Sequence, residues 1–416
     1  MASASGFVYD PTSAEFQRRA HEIYRVLRDE HPVFHNPERG FWAISRFEDV
    51  WNATLDLASL TTEGVEESRS LRPMLNYLDP PRHDRLRALV SRAFTFRRVA
   101  AMEDLIRDTA RELLAGFVHA GRCDLLAAYA EPLPGRLIAD MIGVPRERRE
   151  IFLRYTRAML ATNPAKSITE TIREPSERIY QEFGALLEER RRERRDDLMS
   201  ALLDAEIDGE RLTTDEILGF CYQLIVAGND TTTTLIGNGA VLLAEHPEQR
   251  AVLAKDPSRI PAAVEEMLRY ESPAQALPRR ARIDVELHGR RIPAESRVLL
   301  VWGAANRDER EFPDPDRFDV QRGIRRHLAL GHGTHSCLGA SLARLEARVA
   351  FEELLAQLPD WSLEGRPGWI TSRWARAHDS VPIVFEPARG DPAGPPLERP
   401  IRQLGQQLLE GHPRFE

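Results

Sequence analysis

The chain has 416 residues with a formal net charge of −8 at pH 7, and 42% of its residues are hydrophobic. The acidic balance argues against nucleic acid as a partner, because surfaces that bind nucleic acid are basic. No uninterrupted apolar run reaches the ~18 residues of a membrane-spanning helix, and Met1–Asp10 lacks the basic and apolar regions of a secretory signal. We therefore expect a cytoplasmic protein without a membrane segment.

No Gly/Ser linker, charge block or internal repeat divides the chain, so we expect one large domain. Its three cysteines, Cys123, Cys221 and Cys337, lie far apart and are odd in number, which argues against a disulfide framework.

The N-terminal region predicts a helix, a hairpin and a second helix. An amphipathic stripe over Ser13–Glu30 indicates the first helix, and Pro32 ends it. Val33–His35 and Phe41–Ile44 flank a turn-forming stretch, which predicts a small hairpin. Asp49–Ala58 predicts a short helix, and Ser59–Tyr77 is expected to be irregular.

Asp79-Pro80-Pro81 breaks the chain and begins a helix that is expected to run past Ala93. Most basic residues of this helix are expected on a solvated face. His83 and Arg87 differ, because residues i and i+4 project from one face and both side chains can donate to one anion.

A succession of helices is predicted between residues 99 and 195. We predict helices over Met102–His119, Arg146–Leu160 and Ser176–Arg194, a turn at Glu131–Pro134 and an interruption at Asn163–Pro175. The basic run Arg190–Arg195 is interpreted as the solvated end of the last helix, not as a nucleic-acid patch.

A helix of about 30 residues follows, far above the ~11–12 mean, so we expect it to cross the centre of the molecule. Thr213 and Glu216 form a predicted capping box at its start, and His246-Pro247 ends it. In its middle, Ala227–Thr234 is rich in poor helix formers, and threonine hydroxyls there can bond to the preceding turn. Either a structural kink or a function would explain this choice.

Further along, Pro261–Tyr270 predicts a short helix that carries Glu266 and Arg269 on one face, a spacing that by itself indicates an ordinary surface ion pair. Arg279 precedes a predicted strand at Ile283–Leu287. If the alignment of this segment is shifted by one residue, Arg280 takes the place of Arg279.

Leu328–Ala347 packs Gly331, Gly333 and Gly339 around Cys337 and then continues as a predicted helix. A cysteine just before a helix start lies where the backbone dipole favours its thiolate. Three interpretations remain open on these residues alone: a buried structural cysteine, a zinc site with the nearby histidines, and a haem iron with one thiolate ligand.

The stretch Gly331-His332-Gly333-Thr334-His335-Ser336-Cys337-Leu338-Gly339 resembles the cysteine-ligand loop of the cytochrome P450 family, written F-G-x-G-x-[HR]-x-C-x-G. Leu330 stands where the family usually has Phe, whose ring shields the thiolate. This departure bears on the reduction potential of the iron and leaves the expectation that Cys337 ligates it unchanged. Ala227–Thr232 resembles the family's [AG]-G-x-[DE]-T-[TS] oxygen-binding motif, and His83, Arg87, Glu266 and Arg269 match its H-x-x-x-R and E-x-x-R.

The resemblance covers roughly residues 11–385 and implies a mainly α fold with a small β region, a triangular helical prism around a buried haem b. It implies one domain over residues 1–385 and a C-terminal extension of unknown role over 386–416. Cys337 would be the axial ligand of the iron. The further cofactor-binding residues implied are His83, Arg87, Arg279 and His335 on the propionates, with Gly331, Gly333 and Gly339 lying close to the macrocycle.

On the helix of the oxygen-binding motif, the resemblance implies that Ala227 and Gly228 make room for dioxygen. Thr231 would hydrogen-bond to the oxygen and Asp230 would relay protons to it, so these two are the expected catalytic residues. Glu266, Arg269 and Arg317 would form a buried structural network. The expected wall of the substrate site consists of Leu224, Ala276 and Leu277.

The implied function is monooxygenation of an organic small molecule by hydroxylation, epoxidation or dealkylation. Electrons are expected from a ferredoxin and its reductase, because no flavin- or nicotinamide-binding segment is visible. We expect a monomer. The expected docking patch consists of Arg97, Arg98, Arg325, Arg326 and Arg344. The alternatives are a family member that uses peroxide directly and a non-catalytic haem sensor or carrier.

Overall fold

The structure is a computed structural model that describes residues 7–65, 72–91, 94–160, 168–207 and 209–388. Within these residues the helices are α1 (Ala14–Glu30), α2 (Phe47–Leu55), α3 (Arg82–Ser91), α4 (Phe96–Ala100), α5 (Glu103–Ala115), α6 (Pro132–Ile142), α7 (Arg149–Leu160), α8 (Ile168–Arg192), α9 (Leu198–Asp204), α10 (Thr214–Glu245), α11 (Pro247–Lys255), α12 (Ile260–Tyr270), α13 (Trp302–Ala305) and α14 (Ala340–Gln357). The predicted mainly α fold with a small β region is confirmed.

The strands are short and form one five-stranded sheet and three smaller ones. They are β1 (Val33–Asn36), β2 (Phe41–Ile44), β3 (Leu60–Thr61), β4 (Arg122–Asp124), β5 (Glu206–Ile207), β6 (Glu210–Arg211), β7 (Leu277–Ala281), β8 (Val285–Leu287), β9 (Arg290–Ile292), β10 (Arg297–Leu300), β11 (Ser362–Leu363) and β12 (Pro382–Val384). The largest sheet has the order β1-β2-β10-β7-β3, in which only the β2–β10 pair is parallel. This sheet brings the β7 segment beside the chain around Leu60.

Helix α10 occupies the centre of the main hydrophobic core and packs against α6, α7, α8, α12 and α14. The close approach of α12 and α14 to α10 depends on Gly239. A Cβ at Gly239 would lie 2.5 Å from Cζ of Phe351 on α14 and 2.7 Å from Sδ of Met267 on α12. The predicted capping box is present, with the Glu216 N–H donating to Oγ1 of Thr213 over 3.2 Å. The prediction of a long central helix is therefore confirmed.

The predicted weakness in the middle of α10 does not interrupt the helix. The helix is continuous from Thr214 to Glu245. The hydroxyls of Thr231 and Thr234 donate to the carbonyls of Ala227 and Asp230, each over 2.7 Å. Packing of α10 against α6, α7, α8, α12 and α14 stabilises residues whose own helix propensity is poor.

Two predicted breaks in the helical region are wrong. Glu131–Pro134 is not a free turn, because α6 begins at Pro132, where a proline lacking an N–H is tolerated. The interruption predicted at Asn163–Pro175 is shorter, because α8 begins at Ile168 and contains Pro175. Buried Ser176, whose hydroxyl lies 2.7 Å from that of Tyr222 on α10, ties this part of α8 to the core. Residues 161–167 lie outside the described residues.

Two other expectations need correction, and a third needs an addition. The segment predicted to be irregular contains β3 and a short 3-10 turn at Leu75–Tyr77, although residues 66–71 lie outside the described residues. Arg190 of the basic run is buried, because its guanidinium pairs with Asp197 and donates to the Gly143 carbonyl over 2.8 Å. Arg279 precedes the predicted strand, which is β8, as expected, but it lies in a further strand, β7, which was not predicted.

None of the described helices combines the length and apolar character that crossing a membrane requires. All three cysteines are free. The predicted C-terminal extension is described only to residue 388.

Candidate active site

The cysteine loop, defined as residues 328–339, is a compact turn that holds Cys337 just before α14. The Cys337 N–H donates to the Leu330 carbonyl over 2.8 Å, which closes the loop. Gly331 and Gly333 both have φ of +67°, a conformation that costs little only for glycine. A Cβ at Gly333 would also lie 2.7 Å from Cδ2 of Leu55, whereas a Cβ at Gly339 would meet nothing within 4 Å. The glycines at 331 and 333 are therefore required by the shape of the loop.

The surroundings of Cys337 do not by themselves stabilise a free thiolate. Loss of water around the side chain raises the pKa of the Cys337 thiol, and the Gly339 N–H, Arg87 and Arg344 oppose this only in part. A cation bound at the sulfur would favour the thiolate. A thiolate at Cys337 is therefore expected where a metal cation is bound to the sulfur.

The nearby histidines do not converge on Cys337 as zinc ligands would. The His327 ring lies 3.0 Å from a carboxylate oxygen of Glu265, and the His332 ring stacks on Trp51 with centroids 3.6 Å apart. Across the part of the chain that the structure describes, no group of three or more His, Cys, Asp or Glu side chains could hold a metal ion. This geometry disfavours the zinc interpretation.

His83, Arg279 and His335, called the anchor cluster below, come together from α3, β7 and the cysteine loop. The rings of His83 and His335 lie 4.5 Å apart, and Arg279 is close enough to His335 to lower its pKa. Nε2 of His83 and Nε of Arg279 are buried without a hydrogen-bond partner, and the buried Nε2 of His335 has only the Asp79 carboxylate near it, 3.4 Å away. The unpartnered N–H of Arg279, together with two imidazoles that donate from Nε2 when it is protonated, fits an anionic group such as the propionates of a haem, because buried donors need acceptors.

The surroundings of β7 show which of its two arginines points into the anchor cluster. Arg279 is buried, while the next residue, Arg280, is directed to the opposite face of β7 and pairs with Glu295 over 2.7 Å. Arg279 is therefore the inward residue, and the register with Arg280 is not the one adopted. Burial lowers the pKa of Arg279 to about 10, so the guanidinium stays charged. Arg87 reaches the cysteine loop, donating to the Ser336 carbonyl over 2.8 Å.

Helix α10 presents Ala227 and Thr231 on one face, four residues apart, and neither is buried. Gly228 was expected to make room for dioxygen, but it faces α6. A Cβ at Gly228 would lie 3.1 Å from Cδ1 of Ile138 on that helix. The absence of a side chain at Gly228 therefore allows α6 to pack closely against α10. Space for dioxygen is expected at Ala227 alone.

Asp230 is buried, with only 4% of its surface exposed. Nδ2 of Asn229 donates to its Oδ1 over 3.1 Å and also to the Thr156 hydroxyl over 3.2 Å, while Oδ2 of Asp230 has no partner. Burial raises the pKa of Asp230 to about 7, and the Asn229 amide opposes this effect. The carboxyl can therefore hold or release a proton near neutral pH.

Comparison with known proteins matches this arrangement to one family. The family model described as Cytochrome P450 matches residues 162–362. Cytochrome P450 130 of Mycobacterium tuberculosis is 38% identical over 401 residues, which cover 92% of this chain and 99% of that protein. The chain belongs to the cytochrome P450 family.

Other relatives of this P450 agree in fold and class. The solved structure of a cytochrome P450 from Chondromyces apiculatus is 42% identical, with a TM-score of 0.84 and coverage of 92% of this chain and 99% of that one. The vitamin D(3) 25-hydroxylase of Pseudonocardia autotrophica is 39% identical over 367 residues, covering 85% of this chain and 90% of that enzyme. The protein is a P450 monooxygenase, and its family implies a haem-thiolate cofactor.

The buried E-x-x-R pair of this P450 has a third member other than the predicted one. Glu266 and Arg269 are fully buried and joined by two hydrogen bonds of 2.7 and 2.8 Å. Arg322 completes the network, with its Nε 3.2 Å from Oε1 of Glu266. The Arg317 side chain is 68% exposed and lies 3.8 Å from Asp319, so its assignment to the network was wrong.

Of the three predicted substrate-wall residues, only Leu277 lies outside the buried core clusters. Ala276 is buried in the cluster around Tyr9 and Phe16, which removes it from any wall of the P450 active site. Leu277 is half-buried and shares a face of β7 with Arg279, because alternate residues of a strand point the same way. Leu224 is buried in the main core on α10.

Asp79 is a buried residue of the site that sequence reasoning missed. The hydroxyls of Thr61 and Thr62 donate to its carboxylate, Arg282 lies 2.8 Å away and Nε2 of His335 lies 3.4 Å away. Burial alone would raise the pKa of Asp79, but these hydrogen bonds outweigh it and hold the pKa well below its usual range. The sequence signal was Asp79-Pro80-Pro81, which had been interpreted only as a chain break.

Proposed function

We propose that this P450 binds haem b and inserts one atom of dioxygen into an organic small molecule by hydroxylation, epoxidation or dealkylation. The observation that carries the proposal is the anchor cluster, where the unpartnered Nε–H of buried Arg279 and two imidazoles lie beside the loop that presents Cys337. An anion is the group these donors require, and the propionates of haem supply it.

Within this proposal, Cys337 ligates the iron through its sulfur, and His83, Arg279 and His335 bind the propionates, with Arg87 close by. The haem supplies the one-electron and dioxygen chemistry that protein side chains lack. Burial, with the charge of Arg279, lowers the pKa of His335 to about 4, and an anion bound beside the ring would oppose this shift. Arg279 gives the cluster a permanent positive charge.

Asp230 and Thr231 supply the protons in this proposal. Oδ2 of Asp230 has no hydrogen-bond partner, and the pKa of its carboxyl, about 7, lets it alternate between charged and neutral forms. The Thr231 hydroxyl donates to the Ala227 carbonyl on the accessible face of α10, which fixes the orientation of its oxygen. In this proposal the Thr231 hydroxyl receives the proton that leaves Asp230.

We propose a cytoplasmic, monomeric enzyme that receives electrons from a ferredoxin and binds no flavin or nicotinamide itself. A cleft of about 260 Å³ beside Cys337 is lined by Arg325, Arg326 and Arg344, three of the five residues of the expected docking patch. Arg344 is already paired with Glu265 and Arg326 with Glu311, so the exposed Arg325 and Arg97 are the better contacts for an acidic protein.

The docking proposal is tested by reversing two charges. The double variant Arg97→Glu with Arg325→Glu should slow reduction by ferredoxin and weaken its dependence on salt, because steering is electrostatic. Arg154→Glu on α7 is the control. An unchanged reduction rate would remove the patch.

The function is tested by binding and turnover of candidate substrates. Vitamin D(3) is the first compound to test, because a 39% identical relative is named for its hydroxylation. A substrate should displace water from the ferric iron and shift its absorption spectrum, and dioxygen with ferredoxin and reductase should then give an oxygenated product. Product with peroxide but none with ferredoxin would indicate the peroxide-using alternative. A thiolate-type spectrum without turnover of any compound would indicate a carrier or sensor.

A further inference from the structure

A small polar cavity, called the α10 cavity below, adjoins Asp230 outside the cofactor-facing residues. It lies against α10, and its other sides are lined by Glu131, Arg157 and the loop that carries His378. Successive residues of an α-helix are rotated by about 100°, so Asp230 borders the cavity while Thr231 is directed toward the neighbouring face. Asp230 thus connects two different environments.

The α10 cavity has the properties of a water site. Its volume is about 20 Å³, which is enough for a water molecule. Among the residues that line it, Oδ2 of Asp230, Oγ1 of Thr233 and Oδ1 of Asn238 are buried and lack hydrogen-bond partners. Asp230 and Asn238 are each at least nine-tenths buried. Buried polar atoms around a cavity of this size are usually satisfied by ordered water.

The cavity reaches solvent at an ion pair. The Arg157 guanidinium donates to Oε2 of Glu131 over 2.7 Å and to the Asp379 carbonyl over 3.0 Å. The Arg157 side chain is 43% exposed, whereas that of Glu131 is 16% exposed. Burial raises the pKa of Glu131 even though Arg157 opposes the shift. The Glu131 carboxyl therefore stands between solvent and the cavity.

We propose that the α10 cavity is the proton inlet of this P450, in which Glu131 passes protons through cavity water to Asp230. For each proton delivered, the Glu131 carboxyl gives one proton to the water, the water gives one to Oδ2 of Asp230, and Glu131 regains one from bulk solvent. Glu131 acts through Asp230 and is a positioning residue. The inference rests on the proposed function, because only turnover consumes the protons.

The main alternative is that Glu131 and Arg157 only tie α6, α7 and the Asp379 loop together. Glu131→Gln separates the two roles. The amide keeps the size of the side chain and an oxygen to accept from Arg157, but it has no acidic proton to pass on. A structural role would leave proton transfer intact in this variant, whereas an inlet would be blocked.

Turnover in ordinary and heavy water provides the first test. Glu131→Gln should lower product formation on the order of tenfold, release more peroxide and raise the solvent isotope effect, while substrate affinity stays unchanged. Glu131→Asp should restore part of the rate. Glu112→Gln, which changes a comparable Glu–Arg pair between α5 and α6 that lies outside the cavity lining, is the matched control. An isotope effect equal to that of the control would overturn the inlet.

A crystal structure of the haem-loaded enzyme at high resolution provides a test that needs no turnover. It should contain an ordered water within hydrogen-bonding distance of Oδ2 of Asp230, and a dry cavity would overturn the proposal. If the enzyme oxygenates no compound, the proposed function fails. The inlet is then still decided by this water and by the solvent isotope effect on dioxygen consumption without substrate.

Discussion

The anchor cluster and the Asp230–Thr231 pair achieve opposite electrostatic results by different structural means. The anchor cluster gathers one guanidinium and two imidazoles from three segments far apart in sequence. The pair belongs to one turn of α10, where burial raises the pKa of the Asp230 carboxyl to about 7. Binding at the first site depends on tertiary packing, whereas proton transfer at the second depends on a local motif and its burial. Variants at the two sites should therefore separate cofactor retention from catalysis.

The largest effect is expected at Asp230. Asp230→Asn should lower product formation by roughly 10²- to 10⁴-fold, because the amide cannot release a proton at neutral pH. Haem content and substrate affinity should stay unchanged, since Asp230 does not belong to the anchor cluster. Asp215→Asn, at the exposed start of α10, is the control. A loss of haem in Asp230→Asn would contradict the separation of the two sites.

Arg279 tests the other side of the comparison. Arg279→Leu should weaken haem retention by about 10- to 100-fold, because it removes the charged donor of the cluster. The measurement is the rate of haem transfer to an excess of a haem-free globin. Arg280→Leu changes the outward neighbour and should leave that rate near the wild-type value. Equal rates for both variants would argue against the assignment of Arg279.

Asp79, which lies beside His335 of the anchor cluster, is expected to stabilise the folded protein. Asp79→Asn is expected to lower the free energy of unfolding by about 1–3 kcal/mol at neutral pH, because a charged acceptor of several hydrogen bonds is lost. The pKa of Asp79 is depressed in the folded protein. Its contribution is therefore complete above the unfolded value of about 4 and is lost as pH falls below it.

Denaturant unfolding at pH 7 and at acidic pH measures this contribution. The difference between wild type and Asp79→Asn should shrink as pH falls. A difference that stays constant across this range would show that the Asp79 charge does not stabilise the fold.

The smallest expected effect distinguishes the two arginines near Glu266. Arg322→Ala should cost about 1–3 kcal/mol of unfolding free energy, because it removes a charge-assisted hydrogen bond to a buried carboxylate. Arg317→Ala should stay within about 0.5 kcal/mol of wild type, as for most surface changes. Unfolding in guanidinium measures both. The reverse order would restore the assignment of Arg317.

Residues set by local spacing could be predicted from the sequence, and residues set by tertiary neighbours could not. The capping box of α10, the Glu266–Arg269 pair and the glycines of the cysteine loop follow from offsets of a few residues, and the structure contains them. The cysteine loop was predictable because its glycines and cysteine are contiguous.

The errors have a common physical cause. Gly228 faces α6 and Ala276 faces the N-terminal cluster, and neither direction follows from the sequence around the residue. Arg322, not Arg317, reaches Glu266, which depends on how the chain folds back from Pro313 to Arg322. Asp79 gains its role from Thr61, Thr62 and Arg282, which meet only after the sheet has formed.

The central claim is that Cys337 ligates the haem iron, and the carbon monoxide spectrum of the reduced protein tests it most directly. Cys337→Ser should lose the thiolate-type spectrum, while Cys123→Ser and Cys221→Ser should keep it, because those cysteines lie outside the cysteine loop. Survival of the thiolate-type spectrum in Cys337→Ser would contradict the account.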